Sequence, residues 1–178
     1  MISVVIPTLD DASRLTATLA ALAPAAMDGF VRQVIVVDGG STDETLEVAE
    51  DAGADVVVTG FANAIVAARQ PWLLILTPGS RPQVGWERPA QAHMRDYPDK
   101  AGWFDLALAE PGLAARFREA AARIEGRAFG RPRPGQGLLV TNQLLGELGE
   151  ISKQDDIIRR LRPGQLRPLG VRALIGRN

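Results

Sequence analysis

The 178-residue chain has no cysteine, one histidine, one tyrosine and only 5% aromatic residues. Without cysteine there is no disulfide, no thiolate zinc site and no cysteine nucleophile. The lone His93 has no second histidine or cysteine to complete a metal-ligand set, so it reads as an ordinary helix residue. No apolar run approaches the roughly 18 residues of a membrane span, and the sequence opens on a strand rather than on a basic leader with a cleavage site. Together these predict a cytoplasmic, soluble protein. A basic patch with interleaved aromatics is missing too, which argues against a nucleic-acid partner.

What is present suffices for one core. At 46% hydrophobic residues and this length, a chain buries roughly 70% of its extended surface, which predicts a single domain over residues 1–178. Net charge is only −1, but residues 1–112 hold 15 acids and 7 bases, whereas residues 113–178 hold 6 acids and 13 bases. The basic half includes Arg127, Arg131 and Arg133 in a Gly/Pro/Arg loop. Such a loop has either a bland reading as an exposed connection or a functional one, closing over a diphosphate with guanidinium–phosphate pairs. Contact with anionic lipid headgroups at a membrane surface, or with a protein partner, stays open.

The most informative segment is Val34-Ile-Val-Val-Asp38-Gly-Gly-Ser41-Thr-Asp43-Glu44. Four branched apolar residues fit a strand buried on both faces, and Asp38 falls where that strand emerges. Gly39 and Gly40 permit a tight turn. Ser41 with Glu44 has the spacing of a capping box and predicts that a helix starts there, its free N–H groups on the same rim as Asp38. Ile2-Ser-Val-Val-Ile-Pro7-Thr8-Leu9-Asp10-Asp11 is a second such strand end. Leu15, Leu19 and Leu22 then mark an amphipathic helix, a loop around Pro24 and Gly29 follows, and the unit is β-α-β with the two acidic strand ends side by side.

These two segments resemble the start of family 2 glycosyltransferases, inverting GT-A enzymes that use nucleotide-diphosphate sugars. The resemblance implies an α/β fold: one GT-A, Rossmann-like domain with a mostly parallel central sheet and helices on both faces, residues 1–112 forming the nucleotide-binding half and 113–178 the acceptor side. It also implies that Pro7, Thr8, Asp10, Asp11 and Asp38 line the nucleotide site, Asp38 accepting the imide N–H of a uracil-type base. Asn63 matches the family's asparagine at the start of the short third helix, and the resemblance places it in the same nucleotide-binding set. Gly79-Ser80-Arg81-Pro82 and Trp103-Phe104-Asp105 carry the likeness further, placing Arg81, Trp103, Asp105, Arg131 and Arg133 at the diphosphate and acceptor.

Departures from the family pattern shape the functional expectation. Its Asp-x-Asp metal motif follows the fourth strand, where this chain has Thr77-Pro78-Gly79. Hard cations need oxygen ligands, so the sequence predicts no Mg²⁺ or Mn²⁺ site and no cofactor. The flanking arginine of the base clamp is replaced around Gly60 and Phe61. In the register of Arg160-Leu161 the late Glu-Asp pair becomes Lys153-Gln154, leaving Asp155 and Asp156 as the candidate general bases one or two residues away. Many relatives also continue past the point where this sequence stops.

Two functions fit. In one, the chain binds a nucleoside diphosphate sugar and transfers the sugar with inversion without a metal, Arg81, Arg131, Arg133 and helix N–H groups stabilising the leaving group. In the other it is an inactive pseudo-glycosyltransferase that binds nucleotide or a protein. The remaining pattern predicts strands at Asp55–Thr59, Trp72–Leu76, Gly102–Leu108 and Leu138–Thr141, and helices at Asn63–Arg69, Trp86–Asp96, Asn142–Leu148 and Ser152–Leu161. A longer helix is marked by Leu113, Phe117, Ala120 and Ile124.

Overall fold

The computed structural model describes residues 1–58, 60–108, 119, 121, 132, 135–149, 151–152 and 154–175. The alternation of apolar runs and amphipathic stretches produces β1 (Ile2–Thr8), α1 (Ala12–Met27), β2 (Val31–Asp38), α2 (Thr45–Asp51), β3 (Asp55–Val57), α3 (Phe61–Ala67) and β4 (Trp72–Ile75). Then come β5 (Ser80–Pro82), α4 (Glu87–Asp96), β6 (Ala101–Leu108), β7 (Leu138–Thr141), α5 (Asn142–Glu147), α6 (Gln154–Arg160) and β8 (Leu166–Ile175).

The described strands form one eight-stranded sheet in the order β3-β2-β1-β4-β7-β6-β8-β5. β1 to β4 are parallel, β7 runs antiparallel to β4 and β6, and β8 is parallel to β6 but antiparallel to β5. The sheet is therefore α/β with helices on both faces, parallel at the N-terminal end and mixed beyond β4. On one face Ile2, Val4 and Ile6 of β1 pack with Leu15, Leu22 and Trp86. On the other, Val5, Ile35 and Ile75 pack with Phe61, Leu144 and Ile157. Each such side chain, fully withdrawn from water, contributes roughly 1.5–3 kcal/mol.

Three features depart from the sequence reading. α1 runs through Pro24 to Met27 instead of ending before it, because Leu22 and Ala25 remain buried against the sheet. β5 and β8 were not expected: one is three residues long and the other carries Pro168, Gly170 and two arginines. Leu113, Phe117, Ala120 and Ile124, like Arg131, Arg133 and Lys153, lie outside the described residues. Among the described residues no helix is long and apolar enough to cross a membrane.

Strand directions place the ends of β1, β2, β3, β4, β6 and β8, and the starts of β7 and β5, along one rim of the sheet. In open α/β sheets ligands bind outside the carboxyl ends of the strands.

Candidate nucleotide site

Thr8 and Asp38 are register partners at the ends of β1 and β2, so the loops that follow lie against each other. Asp38 is 5% exposed and turns its carboxylate into its own loop. Oδ2 accepts from the Gly40 N–H at 2.9 Å and the Ser41 N–H at 3.0 Å, and Oδ1 accepts from the Ser41 hydroxyl at 2.5 Å. Burial raises the carboxyl's pKa, but the hydrogen bonds from the Ser41 hydroxyl and the Ser41 and Gly40 N–H groups outweigh it, and the group stays below its ordinary value.

Ser41 does not cap a helix. α2 starts at Thr45 with no side-chain cap, and the Ser41 hydroxyl instead accepts from the Asp10 N–H at 3.0 Å while donating to Asp38. It is thus the bridge between the two acidic strand ends. Asp10, held at φ 51°, returns the contact by accepting from the Thr42 N–H at 2.7 Å. The Asp11 N–H donates to Thr45 Oγ1 at 2.9 Å and the Ala12 N–H to Asp43 Oδ2 at 3.2 Å. A hydrogen bond from the Thr45 hydroxyl is the main cause that lowers the Asp43 carboxyl. Sequence reading missed this latch because each residue has a common local role, and only the β1–β2 register shows them facing one another.

Beside the latch lies an open pocket of about 420 Å³ lined by Pro7, Thr8, Val37, Asp38, Gly39, Gly40, Val58 and Gly60. Gly39 fits closely here, since a Cβ would stand 3.1 Å from the Thr8 carbonyl oxygen. A Cβ at Gly40 or Gly60 would meet nothing within 4 Å, so these glycines leave the pocket mouth clear. Leu9 and Val58, 56% and 68% exposed, supply apolar surface at this rim.

The loop after β4 is fixed by Arg14 of α1, which the sequence did not single out. Its guanidinium donates to Asp11 Oδ1 and to the Pro78 carbonyl, each at 2.9 Å. The Gly79 N–H donates to the Arg14 carbonyl at 3.0 Å and to Thr18 Oγ1 at 2.9 Å. Ser80, fully buried, donates to the Gly135 carbonyl at 2.9 Å and lies 3.1 Å from Thr77 Oγ1.

Other expected site residues are more dispersed. Asn63 is exposed on α3 and does not line the pocket. Trp103 is 2% exposed, in the cluster beneath α5 and α6. Asp105 is half-buried two residues further along β6, and Arg81 is half-buried on β5. Asp155 and Asp156 occupy the first turn of α6, where acids oppose the helix dipole favourably. Asp156, not Asp155, accepts from the Ser152 N–H, at 3.2 Å.

Ligands of open α/β sheets bind outside the carboxyl ends of the strands, and here those ends form an acidic, glycine-rich cleft. Residues 3–73, from β1 into β4, match the glycosyl transferase family 2 profile. No curated protein sequence matches the chain. Glucosyl-3-phosphoglycerate synthase from Mycobacterium tuberculosis, in complex with Mn²⁺, UDP and glucosyl-3-phosphoglycerate, superposes with a TM-score of 0.67 at 22% identity, covering 100% of this chain and 72% of the synthase. The same enzyme with Mg²⁺ and UDP gives 0.69 at 21% identity with the same coverage. The chain has the GT-A fold of family 2 glycosyltransferases.

The comparison also corrects one expectation. The absence of a divalent cation was inferred from Thr77-Pro78-Gly79, yet structures of this fold hold Mn²⁺ or Mg²⁺ together with UDP. Losing two carboxylates from one loop does not exclude a cation, because Mg²⁺ keeps several waters and takes much of its coordination from substrate phosphates. The residues after β4 do not themselves fit such an ion: they bring no carboxylate, and among the described residues no three His, Asp or Glu side chains cluster to hold one.

Proposed function

We propose that this protein binds a nucleoside diphosphate sugar, seating the nucleoside in the cleft between the β1–α1 and β2–α2 loops. The observation that carries the reading is the Asp10–Ser41–Asp38 bridge, which fixes two strand-end loops beside an unobstructed pocket. Preformed loops need little ordering when ligand arrives, so binding energy is not spent on it. That the superposed synthases hold UDP supports the same location. Asp38 serves chiefly to shape the loop, its oxygens already accepting three hydrogen-bond donors; the base meets the aliphatic rim at Leu9 and Val58.

Calorimetric titration with UDP and GDP, in buffer containing Mn²⁺, tests the reading. Binding is expected, and Asp38→Asn should weaken it roughly tenfold by loosening the latch, whereas Asp28→Asn, exposed at the far end of α1, should leave it unchanged. Equal small effects of both would remove Asp38 from the site, and no binding of either nucleotide would end the proposal.

A second reading, turnover, is favoured by the first-turn acids of α6. An acceptor hydroxyl would transfer its proton to Asp155, the acid not engaged with Ser152, as its oxygen forms a bond to the anomeric carbon. The bond to the diphosphate breaks on the opposite face, and configuration inverts. UDP release from UDP-glucose in the presence of Mn²⁺, lost in Asp155→Asn, is the expected result. Release unaltered by that substitution would assign the base elsewhere.

A further inference from the structure

We infer that Arg81 and Arg172 form an anion-binding subsite, separate from the nucleotide cleft, for a phosphate or carboxylate group on the acceptor; this rests on the reading that the β1–β2 cleft takes the donor. Side chains of register partners share a sheet face, and alternate residues return to it. Arg81 pairs with Leu174, and Leu174 with Ala107, so these three lie abreast on one face at the rim. Arg172, two residues before Leu174, lies on the same face, abreast of Asp105. The opposite face carries Phe104, Ala173 and Leu169 into the core, which leaves Arg81, Arg172 and Asp105 as a charged row on the other.

The row is uncompensated. Among the described residues, neither arginine makes an ion pair, and Asp105 stays unpaired even though it sits abreast of Arg172. Arg81 Nε is enclosed by protein and has no acceptor. A buried N–H without a partner carries a desolvation penalty that proteins normally avoid, and an ion or ligand is a standard resolution. Arg172 is exposed and Arg81 half-buried, so the row is open to solvent at one end and sheltered at the other. Two guanidinium groups against one carboxylate leave net positive charge, and the guanidinium fork matches the oxygens of a phosphate or carboxylate. Position agrees with an acceptor role: Arg81 follows the β4–β5 loop, which Arg14 and Thr18 of α1 hold, and neither Arg81 nor Asp105 on β6 lines the nucleotide pocket, although both strands reach the same rim.

The test is a titration of the full chain with inorganic phosphate at constant ionic strength, followed by NMR, with and without saturating UDP. Saturable binding is expected whether or not UDP is present. Arg81→Gln and Arg172→Gln should each weaken it roughly tenfold, and in Arg172→Gln UDP affinity should stay within about twofold of the parent. Arg81→Lys, which keeps charge but lacks the fork, should fall between, and Arg88→Gln, exposed on α4, should behave as the parent. Circular dichroism of each variant confirms that it is folded. Competition between phosphate and UDP would overturn the inference by placing the anion in the donor site, as would phosphate binding indifferent to both substitutions, or none at all. Failure of UDP to bind the parent would strike the donor reading instead and is seen independently in the same titrations.

Discussion

At the scale of single residues, the protein places titratable groups where their neighbours decide their charge. Asp38 is held ionised by three donors from its own loop, with a carboxyl pKa below the ordinary value. Its contribution to stability is therefore complete above the unfolded value near 3.8 and disappears as pH falls through the lower folded value. His93 behaves in the opposite sense. Burial lowers its pKa, the hydrogen bond from Nε2 to the Lys100 carbonyl raises it, Arg167 lowers it and Asp99 raises it, with burial prevailing. The folded state thus binds fewer protons than the unfolded chain just below the ordinary value of 6.5, and stability must rise with pH across that window and fall on acidification through it. Urea midpoints should drop between about pH 7 and about pH 5, and His93→Gln should flatten that slope whatever it costs in packing against Trp72 and Tyr97. A slope that persists in the variant would assign the titration to another group.

At the scale of elements, the site is made by loops that neighbouring elements hold in place. Arg14 ties α1 to the β4–β5 loop, and Gly137 brings the start of β7 against the core at φ 72°. A Cβ there would meet Leu76 Cδ2 at 2.8 Å and Phe104 Cδ2 at 3.0 Å. Gly137→Ala should accordingly destabilise the fold by about 1–3 kcal/mol, measured as a lowered urea midpoint with an unchanged slope. Elements with a strong period were legible from sequence: β1, β2, β4 and β7 are apolar runs, and α4 and α5 start within a residue of their expected positions. β8 was not, because an exposed arginine at every fifth residue and an internal glycine disguise its alternation, and β5 was not, because three residues carry no period. The site divides the same way. Asp10 and Asp38 of the latch stand out in the sequence by their place at strand ends, whereas Ser41, Asp43, Thr45 and Arg14 act across thirty or more positions of sequence, a relation that local spacing does not carry.

At the scale of the whole molecule, the cleft proposed to take nucleotide draws on β1, β2 and β3 and their loops, so ligand binding and global folding should be linked. A nucleotide present at about a hundred times its dissociation constant adds about 2.7 kcal/mol of stability, which for a chain of this size raises the melting temperature by roughly 5–10 °C. UDP with Mn²⁺ should produce that rise in a thermal melt, and a flat response at concentrations that saturate calorimetry would show that nucleotide binds the unfolded chain as tightly as the folded one, with no need of the cleft. The sheet's order has its own consequence for biosynthesis. β8, from residues 166–175, threads between β6 and β5, so on the ribosome those two strands emerge long before the segment that separates and joins them. Until then the nascent chain presents the free backbone edge of β6, the kind of edge that invites wrong pairing with other chains, and its dependence on chaperones should be greatest in the interval before Leu166 is made.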